Sequence, residues 1–577
     1  MRKFLQITAM LLLVSMLLVA CNHKTPADDT PTGNGESKTD NTTAATEPTT
    51  EPTPEPAELL ELAKDGKSDY TVVYASGSSA FVSERVKKFI SDFRSKTGVA
   101  LDFEQDTAAP SDTKEIVFNG ERNRPDVALA MKKVSYTGFE ISVVGNRIIV
   151  CFYSELSLRR AIGYLEEAMV KDGTTWGIPS DFHKAMDYGS GVSAPKYETA
   201  KGYFQGVYPC ANNSYEISTS NTTQAECHTY LEKLAAEGFT RYAENTINQN
   251  EFYTYRKGDT NLFVSWYPSM ATCKVVAASG YLPSTEKPAV TKTVTPSITQ
   301  PGRNGVNQNA PGMSYVIQLS DASFIIIDGG PYDESDVDAL MDFLEAKTPG
   351  TGKPVIAAWM ITHAHGDHMA LANSFLDKYH SRIDLRMAAY NFPDFSSITI
   401  PNESPAACGS LATAFTNKIT KYFPSADQFV FHTGQKLYLA DAEIEFLFTH
   451  EDLYPKEISW GNHTSSAWRI KLGGKTIMIL GDCEKTLCQQ MADCFGSELK
   501  ADILQLSHHG FNGACLDLYK AIDPDICFWA CDKTRFDTDE RCLGTKNGYD
   551  FNKWLRDDSV KVRRHYHSST TTTIELK

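Results

Sequence analysis

The sequence predicts an α/β protein made of two small mixed domains followed by a larger C-terminal one. Three observations lead there. Strand and helix periodicities alternate from about residue 66 to about 195. A strand-rich, aromatic-rich stretch with one helix then runs to about residue 287. Beyond it, apolar runs of buried-strand length end repeatedly in His, Asp or Gly, the pattern of a site built at strand ends.

Taken in order, residues 1–21 read as an export signal. Arg2 and Lys3 give a positive start, Phe4 to Ala20 is almost wholly apolar, and Leu18-Val-Ala-Cys21 resembles the bacterial lipobox. The apolar run is short for a stable span and ends at a small residue and a cysteine, which favours cleavage over a transmembrane helix. The resemblance implies that Cys21 becomes a lipidated first residue. The body is then held on the outward face of a bacterial cell membrane, with the membrane as a partner through that lipid. Residues 22–60 are rich in Thr, Pro, Glu and Asp with almost no large apolar groups. Such a segment buries too little surface to fold and reads as a proline-stiffened tether.

Residues 61–195 are expected to form a small α/β domain. Tyr70–Tyr74, Lys114–Phe118, Phe139–Val143 and Arg147–Cys151 have strand patterns, and Ser83–Thr97 and Leu156–Val170 have helical spacing. Residues 196–288 form a second small α+β unit. Its helix, Ala225 to Gly238, stops at a glycine, and Glu251–Tyr255, Asn261–Ser265 and Cys273–Ala277 read as strands. Its many aromatics suit a small core better than a stacking face for ligands. After a linker near Pro283–Pro288, Val294–Ile298 and Met313–Gln318 open the third domain, residues 289–577.

Composition limits the partners. A formal net charge of −16 over 577 residues disfavours a grip on long nucleic acid, which calls for a basic face. Lys561-Val-Arg-Arg564 is the one basic cluster of note, and it reads as a solvated strand. Of the 13 cysteines, Cys21 is the lipid site. The rest could pair outside the cytoplasm or pack as buried thiols. Cys483, next to Asp482, is read as core rather than site lining. His565 and His567 are read as part of an exposed strand.

The chemistry lies in the third domain. Ile361-Thr-His-Ala-His-Gly-Asp-His-Met369 packs His363, His365, Asp367 and His368 into six positions, a ligand set for zinc and similar divalent metals. The apolar run Val355–Ile361 precedes it and a helical stretch, Ala370–Tyr379, follows, so the ligands are expected on a strand-to-helix loop. Upstream, Ser323-Phe-Ile-Ile-Ile-Asp-Gly-Gly330 ends a strand in Asp328. Downstream come Gly461-Asn-His-Thr-Ser-Ser-Ala467 with His463, Lys475-Thr-Ile-Met-Ile-Leu-Gly-Asp482, and Ala501-Asp-Ile-Leu-Gln-Leu-Ser-His-His-Gly510 with His508 and His509.

In this order the five motifs resemble those of the metallo-β-lactamase superfamily. The nearest subgroup is the domain of the competence protein that handles incoming DNA, whose Asn-x-x-Ser element is matched by Asn462 and Ser465. The resemblance implies an αββα sandwich. It also implies two divalent ions, zinc first, with manganese or iron as alternatives. His363, His365 and His463 would hold one ion. Asp367, His368 and either His508 or His509 would hold the other, and Asp482 would bridge them. Asp328 would fix a ligand imidazole, and Asp367 would also guide a proton of the nucleophile. Adjacent strand residues face opposite sides, so one of His508 and His509 is expected as a ligand, and the other either beside the leaving group or substrate or on the surface.

The activity so implied is hydrolysis by a metal-bridging hydroxide, with phosphodiesters as the first substrate class and a small molecule or cell-wall polymer as the substrate. The alternatives are hydrolysis of a lactone, ester, thioester or amide at the same site, and a non-enzymatic ligand- or glycan-binding lipoprotein. Substrate-selecting walls are expected from the loops Tyr390–Pro405 and Asp532–Tyr549.

Overall fold

The computed structural model describes residues 58–577, apart from 79, 111–113, 188–190, 201–202, 212–213, 304–311, 397, 399, 401–402, 455 and 457. The export signal, Cys21 and nearly all of the tether lie outside the described residues. Among those described, no helix is long and apolar enough to cross a membrane.

The chain folds earlier than the tether reading allowed. Leu59–Lys64 is a strand paired antiparallel with Thr175–Pro179, which pairs in turn with Val170–Asp172. Leu59 and Leu60 are only half-exposed there, because the antiparallel partner covers them. The adjoining sheet runs, in spatial order, Asp102–Gln105, Thr71–Tyr74, Glu115–Phe118, Arg147–Phe152, Gly138–Val144 and His183–Asp187. Its first four strands are parallel and its last two antiparallel. Helices Ala80–Thr97 and Glu155–Ala168 cover one face with Phe89, Phe93, Leu158 and Leu165; Pro125–Lys133 covers the other. The second helix ends two residues short of the expectation, since Val170 already belongs to a strand.

The middle sheet is wholly antiparallel, in the order Tyr203–Pro209, Tyr215–Ser220, Thr272–Ser279, Thr260–Tyr267, Asn250–Lys257 and Thr240–Ile247. The helix Gln224–Ala236 opens with a capping box between Thr223 and Glu226 and lies over one face. Tyr215, Tyr255 and Trp266 are buried beneath it and against its own Tyr230, so these aromatics are core. The opposite face seats on the C-terminal domain. Tyr267 donates to Asp452 at 2.5 Å, Tyr208 stacks on Tyr454 at 4.7 Å, and Lys274 donates to the carbonyls of Glu451 and Tyr454 at 2.7 and 2.8 Å.

In the C-terminal domain two mixed sheets lie face to face. One includes Phe324–Asp328 and Val355–Met360, paired in parallel, and is extended by Ser314–Gln318, Ser297–Gln300 and the last strand, Thr572–Glu575. The first of the two expected opening strands therefore starts at Ser297 rather than Val294. Pro296, just before it, has no N–H to give to a ladder. The second sheet includes Ala467–Leu472, Lys475–Ile479, Ile503–Gln505, Ile526–Trp529 and Arg564–His567. Ile325, Ile327 and Met360 of one meet Trp468, Ile477, Ile479 and Phe528 of the other in a continuous buried layer. Helices Glu334–Lys347, Gly366–Tyr379 and Pro405–Tyr422 pack outside the first sheet, and Lys485–Phe495 and Leu516–Ile522 outside the second. The result is an αββα sandwich. All twelve cysteines of the described residues are buried free thiols, Cys483 within the core.

Candidate metal centre

Both sheets end their buried strands in the same cleft. Phe324–Asp328 delivers Asp328, whose φ of +55° is unusual for a residue with a side chain. Its carboxylate makes that turn worthwhile. It accepts from the Thr362 amide and hydroxyl, each at 2.8 Å, and from His368 Nδ1 at 2.7 Å. The following Gly329 lets the helix Gly366–Tyr379 close in, since a Cβ there would stand 2.6 Å from the amide nitrogen of Ala372. That helix starts four residues earlier than expected, with His365 at its N-cap. His363 and His365 therefore sit on the loop, whereas Asp367 and His368 occupy the first helical turn.

With Nδ1 committed to Asp328, His368 turns Nε2 toward Asp482, 3.2 Å from Oδ1. His509 Nε2 lies 3.3 Å from the other oxygen of Asp482 and 3.1 Å from Asp367 Oδ2. The four ligand atoms of Asp367, His368, Asp482 and His509 all fall within 4.8 Å of one another. His363 adjoins them, its ring 4.1 Å from that of His368 and 4.6 Å from that of His365. Asp482 is held from behind: Gln505 accepts from the amides of Leu480 and Gly481 at 2.7 and 2.9 Å, and Ser465 accepts from the Asp482 amide at 3.2 Å.

The electrostatics are those of a charge cluster in a largely buried cleft. Burial opposes ionisation of Asp482, but His509, His368 and His508 together hold its pKa well below the ordinary range. Asp367 is also held low; burial works against this, and the His509 hydrogen bond and the His368 charge outweigh it. Burial lowers the affinity of His509 for a proton, yet Asp482 and Asp367 raise its pKa to about 9. His363 goes the other way, pushed well down by burial and by its histidine neighbours. Its Nε2 is buried with no hydrogen-bond partner among the described residues, and His368 Nε2 faces Asp482 without hydrogen-bond geometry. Interior nitrogens and carboxylates left facing one another in this way fit a divalent cation, which would satisfy all of them at once.

His508 and His509 do not alternate on a strand. They lie in a turn, Ser507–Gly510, with φ of +45° and +61°, so the two rings share one side of the cleft. His509 joins the cluster. His508 stands farther off, Nε2 3.7 Å from Asp482, and donates from Nδ1 to Glu484 at 3.0 Å. Asn462 Nδ2 is 3.2 Å from His508 Nε2.

His463 stands outside the tight cluster, as His363 does, and feels the charges of Glu484 and Glu403. It lies in the turn Gly461–Thr464, and its Nδ1 accepts from the Ser459 amide at 3.3 Å. It belongs to none of the ligand groups found among the described residues. Beside His365 stands a residue that the motif reading missed, Glu403, whose Oε2 is 3.2 Å from His365 Nε2 and accepts from the Gly461 amide at 2.9 Å. A Cβ on Gly461 would collide with both groups, at 2.2 and 2.3 Å. Glu403 comes from a loop without strand or helix periodicity, so only its charge marked it. Glu484, two residues after Asp482, and Gln505 were equally silent. His565 and His567 are half-buried rather than exposed, and His565 accepts from Trp529 Nε1 at 3.0 Å.

No family model matches the chain, and no curated protein does. Among solved structures, the metallo-β-lactamase fold protein YhfI from Bacillus subtilis is 14% identical over 48% of this chain and 99% of its own, with a TM-score of 0.29. CmlA, a diiron β-hydroxylase from Streptomyces venezuelae, is 13% identical over 51% of this chain and 55% of its own, also at 0.29. The chain thus spans about half the length of CmlA. At these scores the αββα architecture rests on the chain's own two sheets and their flanking helices.

Proposed function

We propose that this chain is a metal-dependent hydrolase of the metallo-β-lactamase superfamily, with phosphodiesters as its substrate class. It would be anchored to the outward face of a bacterial membrane through a lipid on Cys21. The observation that carries the enzymatic reading is Asp482. Its two carboxylate oxygens, fully buried, each face an imidazole, His368 on one side and His509 on the other.

One ion would be held by Asp367, His368 and His509. A second would be held by His363 and His365, with Glu403 in the place expected of His463, and Asp482 would be shared. Bound divalent ions, with zinc the first choice for this donor set, bring the pKa of water to about 7 and neutralise an oxyanion as it forms.

The remaining work falls to the chain. Asp328 holds the His368 ring by Nδ1 and so keeps Nε2 aimed into the cleft. The Asp367 side chain is 32% exposed, reaches solvent and is ionised, so it can accept the O–H of an incoming water and orient it. His508 stands at the rim, held by Glu484 and Asn462, where it can contact a leaving group. The pairing of Asn462 with Ser465 supports the phosphodiester class through the competence-type subgroup.

Turnover of bis(p-nitrophenyl) phosphate by metal-loaded protein, abolished in His363→Ala, is the expected result. Cleavage confined to lactones, esters, thioesters or amides would overturn the substrate class and leave the hydrolase.

A further inference from the structure

A second cluster of ligand-type side chains lies where the middle sheet seats on the C-terminal domain. Cys210, just past the strand Tyr203–Pro209, bridges to Pro393. His450 and Glu451 come from the turn His450–Leu453 that follows the strand Ala442–Phe448. Their sulfur, nitrogen and oxygen atoms all lie within 4.8 Å of one another, and all three residues are buried.

His450 is the telling member. It is fully buried, and neither ring nitrogen has a hydrogen-bond partner among the described residues. A neutral imidazole offers one donor and one acceptor, and leaving both unmet in an interior is costly. Burial pushes its pKa down to about 4, so the ring keeps a free lone pair at neutral pH. The thiol of Cys210 makes a weak contact with the Tyr208 carbonyl at 3.8 Å and meets the backbone of Glu216. Glu451, by contrast, is oriented: it accepts from His432 Nδ1 at 2.9 Å and from the Thr449 hydroxyl at 3.2 Å. This is the outer support that ligating carboxylates receive.

We propose that Cys210, His450 and Glu451 form a second metal site that ties the middle sheet to the C-terminal domain around a zinc-class divalent ion. Mixed S, N and O donors suit that class. When the ion binds, the Cys210 S–H bond breaks, its proton leaves to solvent, and the sulfur lone pair forms the metal–sulfur bond. Thiolate and carboxylate then match the two positive charges of the ion; with the ion in and one proton out, the cluster becomes one unit more positive, because the Glu451 carboxylate is ionised beforehand. Ligand atoms around a tetrahedral zinc stand about 3.3–3.8 Å apart, given its usual bond lengths, and small side-chain shifts reach that spacing.

Cobalt(II) tests this on the full chain, because a thiolate ligand adds a near-ultraviolet charge-transfer band that imidazole and carboxylate ligands do not. Cobalt-loaded parent is expected to show the band. Cys210→Ser and His450→Gln should each lose it together with one bound cobalt per chain. Cys408→Ser, which alters the cysteine near His365 and Glu403, should keep it. Asp482→Ala should also keep it while losing cobalt from the cleft, which separates this site from the proposed hydrolytic one. A natively folded parent without the band overturns the proposal. So does a band that survives Cys210→Ser or that disappears in Cys408→Ser.

Discussion

Asp328 Oδ2 accepts a hydrogen bond from His368 Nδ1 at 2.7 Å, and this one contact fixes which nitrogen of the ring faces Asp482. The two residues come from different elements, a strand end in the left-handed region and the first turn of a helix packed against Gly329. The strain at Asp328 and the close approach of the helix serve the same end, which is to aim a buried imidazole.

Removing that support should weaken the centre without removing a ligand. Asp328→Ala is expected to lower zinc affinity about 10- to 100-fold, the usual effect of losing the partner behind a ligating histidine. Competition against a chromophoric chelator measures it. Unchanged affinity would mean that the ring is aimed by packing alone.

The third ligand of the ion held by His363 and His365 is open to a paired comparison. Glu403→Gln should bind one fewer zinc per chain, and His463→Gln should bind as many as the parent. Metal analysis after gel filtration reads both. The reverse pattern would restore His463 to the site.

Lys274 is the buried cation that seats the middle sheet. It lies 3.1 Å from Glu216 and donates to two carbonyls of the C-terminal domain. Burial raises the pKa of Glu216 to about 8 even with Lys274 beside it. Lys274→Met leaves two buried carbonyls and the Glu216 carboxyl without their donor, and should cost about 2–3 kcal/mol in a denaturant titration. A loss below about 1 kcal/mol, the scale of an exposed pair, would mean that water reaches this interface.

Acid should loosen the C-terminal domain through His565. Burial, helped by the charges of Arg556 and Arg563, lowers its pKa to about 4. The Trp529 N–H also occupies Nδ1, so a protonated ring cannot accept it. The folded pKa lies below the unfolded value of about 6.5, so the folded state binds fewer protons. The stability is present above pH 6.5 and is lost as pH falls through about 4, by up to about 3 kcal/mol. Thermal unfolding from pH 7 to 4 should therefore fall less steeply in His565→Gln, whose side-chain oxygen can still accept from Trp529. Equal slopes would contradict this assignment.

Much of the centre was legible in the sequence because the site is built on strand ends. Asp328 and Asp482 each close an apolar run, and a run that stops in a carboxylate beside glycine is visible without coordinates. Helix and strand placement held where periodicity was strong, as in Ala80–Thr97 and Lys475–Ile479. The misreadings share a cause, which is backbone that leaves its regular period. His508 and His509 both adopt positive φ, so the alternation rule does not apply to them. Glu403 reaches the cleft from a loop, and loop positions carry no spacing to count. The docking of Lys274 and Tyr267 on the turn at 450–454 joins residues about 180 positions apart, a relationship that local pattern does not encode.

The claim on which the rest depends is that the cleft holds divalent ions through Asp482. Zinc content of the loaded, desalted chain, compared between parent and Asp482→Ala with native circular dichroism in both, tests it most directly. The account predicts that the variant loses two zinc ions per chain, as a shared carboxylate at a two-metal site requires. Equal zinc content in the two proteins would contradict it.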